Sequence, residues 1–200
     1  MEHDDEPVRG LPGPLPAGET ILWQGGPDAW VFLRGALHAR WVAAYFAALT
    51  LYSLSQASLF GTGISFAAGL ACLGLMALFA WGVAKTSIYT LTNRRIVLRI
   101  GVALSACINL PLARTAAADL RPLEGGHGDI ALSLDGGRIS YVFLWPHARA
   151  WRFASPQPML RSVPEAERVA TLLIDARSAP GPVTQPASES AQLVAAGALA

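Results

Sequence analysis

The chain contains one lysine, two cysteines and, between Trp41 and Ala84, 44 consecutive residues without Asp, Glu, Lys, Arg or His. Only 14% of its 200 residues are charged, against the usual quarter of a soluble domain. Fifteen basic and 14 acidic residues nearly cancel, which excludes a strongly basic nucleic-acid binder, and no nucleic acid is expected as a partner. Cys72 and Cys107 are too few for a disulfide framework, and neither has a base nearby in sequence to make it a nucleophile. His3, His38, His127 and His147 lie more than four residues from one another and from either cysteine, so no local metal-ligand pair is present. The phosphate-loop, zinc-hydrolase, nucleophile-elbow and C-x-x-C patterns are all missing. A protein without enzymatic activity and without a cofactor is expected.

What is present is unevenly distributed. Residues 1–35 hold six acids and two bases, whereas residues 36–100 hold five bases and no acid. A membrane span needs about 20 apolar residues, so the charge-free run predicts two spans, near 39–59 and 64–84, joined through the polar stretch Ser53 to Gly63. Arg34 and Arg40 precede the run and Lys85, Arg94, Arg95 and Arg99 follow it, which predicts both termini on the cytoplasmic side of a bacterial inner membrane. Gly101 to Ala113 contains Pro111 and is too short for a third span. The acidic, Pro/Gly-rich first 30 residues do not read as a cleaved signal peptide. In the second span Ser65, Gly69 and Cys72 share a small-residue face with Met76, suited to close helix packing, on the first span, on another copy or on a larger membrane complex. The run from Trp41 to Ala84 carries no Asp, Glu, Lys, Arg or His, which argues against an ion pathway.

The flanks read as a folded unit. Residues 1–16 are expected to be disordered, residues 17–38 to form a short strand and an interfacial helix capped by Asp28 with Trp30, Leu33 and Leu37 along one stripe, and residues 177–200 to be a disordered tail. Residues 85–176 read as an antiparallel sandwich or barrel. Strands are predicted at 87–91, 95–100, 105–110, 116–120 and 129–134, with Asp135-Gly136-Gly137-Arg138 turning into a last strand at 139–145. Ser162 and Glu165 form a capping-box pattern that predicts a closing helix over 162–176.

Two local patterns carry a resemblance. Leu15-Pro16-Ala17-Gly18-Glu19-Thr20-Ile21-Leu22-Trp23 precedes the spans, and Tyr89-Thr90-Leu91-Thr92-Asn93-Arg94-Arg95 follows them as a Y-x-L-T-x-x-R strand–turn–strand. Together with the membrane hairpin, these resemble the bacterial pleckstrin-homology-like (PH-like) domain. The run Leu144 to Leu160, rich in Trp, Arg and Pro, and the overall layout across residues 11–176 resemble the PuhB-type photosynthetic-complex assembly family of purple bacteria. The resemblance implies an α+β membrane protein with a two-helix transmembrane hairpin and a cytoplasmic PH-like β domain. It further implies an assembly factor whose partners are reaction-centre and light-harvesting subunits. The alternative is a general PH-like module that binds anionic membrane lipid or forms homo-oligomers.

Two surface features stand as candidate sites. Arg95 and Arg99 on one face of the strand expected nearest the membrane, with Arg94 in the adjacent turn, suit lipid headgroups. Trp145, His147, Arg149, Trp151, Arg152 and Phe153 fall outside clean alternation and suit partner contact, because Trp and Arg are enriched in binding hot spots.

Overall fold

Pro27 and Asp28 interrupt an extended apolar run and start a helix. The computed structural model describes residues 10–11, 13–101, 106–135, 139–150 and 152–178. In it, β1 (Ile21–Gly25) is followed by α1 (Ala29–Gly35), where the Asp28 carboxylate accepts the Val31 N–H at 2.9 Å, satisfying an amide that a helix start leaves open. The buried side of α1 is Phe32 and Leu33, while Trp30 remains 63% exposed. Of the expected Trp30/Leu33/Leu37 stripe, Leu33 is buried and Leu37 packs against the same cluster, while Trp30 is corrected to the exposed side, because the face turned to the protein is the one that meets the C-terminal part of α3.

His38 takes a left-handed conformation (φ 56°) and breaks α1 from α2 (Ala39–Ser55). After a three-residue turn, Ser58 caps α3 (Leu59–Thr86) by accepting the Gly61 N–H. The two helices run antiparallel. Gly69 of α3 sits so close to Phe46 of α2 that a Cβ would lie 2.8 Å from the Phe46 Cβ, and Gly61 faces Ser53. Ser65, Gly69 and Cys72 are the half-buried to buried side of α3, so this face packs within the chain. The helix limits differ from the expected 39–59 and 64–84. Among the described residues α3 alone is long and apolar enough to cross a membrane. The 17 residues of α2 span about 25 Å. The end of α3 is sheathed by protein, with Ala80 and Val83 beneath Phe32 and Leu33.

Among the described residues seven strands form two antiparallel sheets. β2 (Ile88–Thr92), β3 (Arg95–Ile100) and β4 (Ala106–Pro111) continue from β1 in the order β1-β2-β3-β4, while β5 (Thr115–Pro122), β6 (Gly128–Leu134) and β7 (Met159–Val163) form the second sheet. Tyr89, Leu91, Ile96, Leu98 and Ile100 of the first sheet meet Ile130, Leu132, Leu160 and Val163 of the second, and α5 (Ala166–Ser178) covers this core with Val169 and Leu173. No strand pairing joins the sheets among the described residues, which there form a sandwich with a closing helix.

The expected strand at 139–145 is corrected. Residues Tyr141–Leu144 form one helical turn, α4, and the edge of β6 that they were to occupy is taken by β7. A short run with apolar residues at Ile139, Tyr141, Phe143 and Trp145 satisfies a strand pattern, but a single turn also fits so short a run. The closing helix begins at Ala166 and not at Ser162, which belongs to β7. The expected disorder over 1–16 is corrected in part: Leu11 is buried at 1% exposure and the Glu19 N–H donates to the Pro16 carbonyl. Residues 1–9 and 179–200 of the expected disordered ends, and Gly136-Gly137-Arg138 of the expected turn, lie outside the described residues.

β1 is an edge strand of the first sheet, Gln24 pairing with Thr90 and Gly25 with Tyr89. The boundary expected between 17–38 and 85–176 therefore runs through one sheet, and the three helices are an insertion between paired strands. The chain leaves and re-enters the sheet at a narrow place. A Cβ on Gly26 would stand 2.7 Å from the Ser87 carbonyl oxygen. Gly26→Ala should destabilise the chain by about 1–3 kcal/mol through this backbone clash, seen as a lower thermal midpoint in detergent, whereas Gly63→Ala, with open space around it, should leave the midpoint nearly unchanged.

Candidate functional site

The residues of the Y-x-L-T-x-x-R pattern have separable physical roles. Tyr89 is fully buried and its hydroxyl lies 2.8 Å from His147 Nδ1. Leu91 is in the core. Thr92 donates to Glu19 at 2.8 Å, and its hydroxyl also accepts the N–H groups of Arg94 and Arg95, closing the β2–β3 turn. Arg95 grips Glu19 with two nitrogens, at 2.7 and 3.0 Å. Burial would raise the Glu19 pKa, yet the hydrogen bonds from Arg95 and Thr92 and the nearby guanidinium charges outweigh it and hold the carboxyl below its ordinary value. The two quoted patterns, whose Glu19 and Arg95 are 76 residues apart in the chain, are thus halves of one buried ion pair.

This geometry separates the three arginines expected at the membrane. Arg99 pairs across from Ile88, beside the end of α3, but Arg94 and Arg95 sit at the other end of the strand, about 14 Å away at the rise of a β-strand. Arg95 is committed to Glu19, and Arg94 donates to the Ala17 carbonyl. The headgroup assignment of Arg94 and Arg95 is therefore corrected to a structural one, while Arg99 stays at the helix end. The side chain of Glu19 is 2% exposed and that of Arg95 22%. Arg95→Ala should then cost about 2–3 kcal/mol, somewhat less than breaking a fully buried pair. Thermal unfolding should show this while binding to phosphatidylglycerol vesicles is unchanged.

The second polar centre lies at the root of the helices. His147, fully buried, places Nε2 3.1 Å from the Ser87 hydroxyl just beyond α3 and Nδ1 against Tyr89 of β2. Tyr89 also accepts the Arg161 N–H of β7 at 3.4 Å. The bonds are satisfied when Tyr89 donates to Nδ1 and Nε2–H donates to Ser87. Phe32 of α1 packs against the imidazole at 6.4 Å between ring centroids. Burial, then the charge of Arg161, pushes the His147 pKa down to about 3, and burial pushes the Tyr89 hydroxyl up. His147 was expected on a partner-binding surface. It is instead the bolt between α3, β2, β7 and the segment after α4, with no exposed atom to offer a partner.

A histidine kept neutral when folded and titrating near 6.5 when unfolded stabilises the fold above the unfolded value, and that stability is lost as pH falls toward the folded value. Below pH 6.5 the unfolding free energy should fall with a slope that steepens toward about 1.4 kcal/mol per pH unit by pH 5. His147→Gln should be less stable at pH 7 and should lose this slope in a thermal-unfolding series from pH 7 to 5.

The remaining partner candidates divide. The Trp145 ring packs on Phe79 of α3 at 5.4 Å, and Phe153 stacks on Tyr141 at 4.9 Å. Arg149 reaches across to Asp119 of β5 at 2.7 Å and to Gln157. Arg152 is exposed, and Trp151 lies outside the described residues. Arg149 also lines a cleft of about 660 Å³ between the α1–α2 corner and the outer face of the second sheet, with Arg121 and Arg161 set against Asp119 and Asp129. On the helix side, Arg34 and Arg40 approach Glu124 at 3.5 and 3.6 Å, tying α1 and the start of α2 to the loop between β5 and β6. Sequence reasoning missed Glu19, Ser87, Glu124 and Arg161. Only Glu19 had a local signal, as the lone acid in the pattern that precedes the spans.

The family model of the bacterial PH domain, bPH_2, matches residues 38–177, a stretch that includes α2 and α3 as well as most of the sandwich. A Rhodobacter capsulatus protein, described as an uncharacterized 23.7 kDa protein in the puhA 5′ region, is 41% identical over 189 residues, 89% of this chain and 88% of its own length. No solved structure matches the chain. The chain belongs to the bacterial PH-domain family, and its likeness to the Rhodobacter capsulatus protein over both helices and sandwich is consistent with a PuhB-type member.

Proposed function

We propose that this protein is a non-enzymatic assembly factor for the photosynthetic reaction centre and its light-harvesting partners, anchored in the bacterial inner membrane by α2 and α3. The observation that carries the reading is the 41% identity, along 89% of the chain, to the protein from the puhA region. The helices support the membrane part. Both are apolar around their whole circumference, with Leu49, Leu51, Tyr52, Leu70, Leu75 and Leu78 exposed, as lipid-facing helices are and soluble amphipathic ones are not. The hairpin enters and leaves on one side, Arg34, Arg40 and Lys85 standing at that side and no charge at the turn, so both termini and the sandwich face the cytoplasm. α2 is shorter than an average bilayer core and is matched to it by local thinning of the bilayer and the snorkelling Arg40.

In this reading the outer faces of α2 and α3 dock beside client helices, and the half-buried Arg149 and the exposed Arg152 meet the client's cytoplasmic surface. A mild-detergent pull-down of tagged protein from its native membranes, with mass spectrometry, should recover reaction-centre or light-harvesting polypeptides in substoichiometric amounts. Arg149→Ala with Arg152→Ala should reduce that recovery several-fold without changing membrane insertion. Recovery of the protein alone, as a homo-oligomer or with lipid only, would replace the assembly role by that of a general PH-like membrane module.

A further inference from the structure

We infer that Val142, Trp145 and Phe153 insert into the headgroup layer of the membrane, giving the β domain its own lipid contact beside the hairpin. The inference rests on the transmembrane reading of α2 and α3 and adds to it a surface that carries no apolar run in sequence. Within the single turn of α4, Leu144 is buried, whereas Val142 on the same turn is 79% exposed and Trp145, the next residue, 56%. Phe153, 62% exposed, is brought to the same patch by stacking on Tyr141. Large apolar side chains clustered this way on a soluble surface mark a contact with something else.

The occupant follows from where the patch is attached. Gly69 of α3 lies opposite Phe46 of α2. From that level Phe79 is ten residues further along α3, about 15 Å, and Arg40 is six residues back along α2, about 9 Å. Phe79, and the Trp145 ring packed on it, therefore stand about 6 Å beyond Arg40 toward the sandwich, which is the depth of the headgroup layer when Arg40 marks the edge of the hydrocarbon. Trp30, Trp41 and Trp81, 63%, 76% and 56% exposed, belong to the same zone, the position at which tryptophan is enriched in membrane proteins. Arg152, exposed next to Phe153, adds a charge suited to anionic headgroups.

The patch is presented rigidly. His147 bolts the segment to Ser87 and Tyr89, the Met159 N–H donates to the His147 carbonyl, and Ala148 bridges to Pro158. Trp145 is consequently held against α3 before any lipid arrives.

The test uses the full chain with Cys72 and Cys107 replaced by alanine, reconstituted in phosphatidylglycerol–phosphatidylcholine vesicles. A nitroxide is placed by Val142→Cys or Phe153→Cys, with Leu70→Cys on the exposed middle of α3 and Glu167→Cys on α5 as references. Collision with oxygen and with a water-soluble nickel chelate should place the labels at 142 and 153 between the two references, with oxygen access at least twice that at 167. Labels at 142 and 153 that match 167, while 70 reads hydrocarbon, would overturn the inference and leave the membrane reading standing. A label at 70 that also matches 167 would overturn both. Protection of 142 in native membranes but not in vesicles would assign the patch to a protein partner and overturn the lipid contact.

Discussion

The helices must leave the first sheet after Gly25 and return to it at Ile88, beside the strand they left. Closing such a loop of 62 residues (26–87) costs chain entropy that grows only with the logarithm of its length, about 4 kcal/mol for the length-dependent part. Here most of that cost is met before the sheet closes, because α2 and α3 pack against each other through Phe46 and Gly69 and return the chain toward its starting level. What remains is to fix the two ends. Gly26 permits the close approach to Ser87, and the Asp28 N–H donates to the Ser162 carbonyl of β7 at 2.9 Å, so the second sheet is tied to the same point.

Two buried polar centres hold this closure, and they solve the desolvation problem differently. At the end of the sheet away from the helices the charge is kept, because Arg95 can supply Glu19 with two parallel hydrogen bonds and still retain contact with water. At the helix root there is no such outlet. His147 is neutral, and its two nitrogens are matched by hydroxyls that can either donate or accept. Replacing the ion pair with a mispaired charge leaves a carboxylate buried. Replacing His147 leaves two hydroxyls and the packing of Phe32 without their partner.

The sequence made the large elements legible because their signals do not depend on distant residues. A charge-free run of 44 residues, the Asp28 cap, the alternation from Ile130 to Leu134 and the stripe of α5 each declare themselves locally. The site was legible in a different sense: the right residues attracted attention for the wrong reason. Arg95 and His147 stand out as a surface arginine and a segment histidine, yet each is explained only by a partner 58 to 76 residues away. No periodicity encodes such pairings. β7 was missed and α4 misread for a related reason, since which of two short segments borders β6 is decided by the competition for one sheet edge and not by either segment alone.

The attachments between helices and sandwich have a consequence for how the proposed assembly factor meets a client. β1 and β2 join the helical insertion to the first sheet, the His147 bolt and the Asp28–Ser162 bond join it to the second, and Arg34 and Arg40 reach Glu124 from the helix side. A domain held at several separated points cannot swing freely on a linker. Arg149 and Arg152 of the sandwich and the exposed apolar sides of α2 and α3 then keep one fixed relation, and in the proposed role a client that fits both surfaces orders little on binding. Such a partner needs no large interface to be selected. A modest contact that dissociates once the client complex is complete is what a transient assembly role requires.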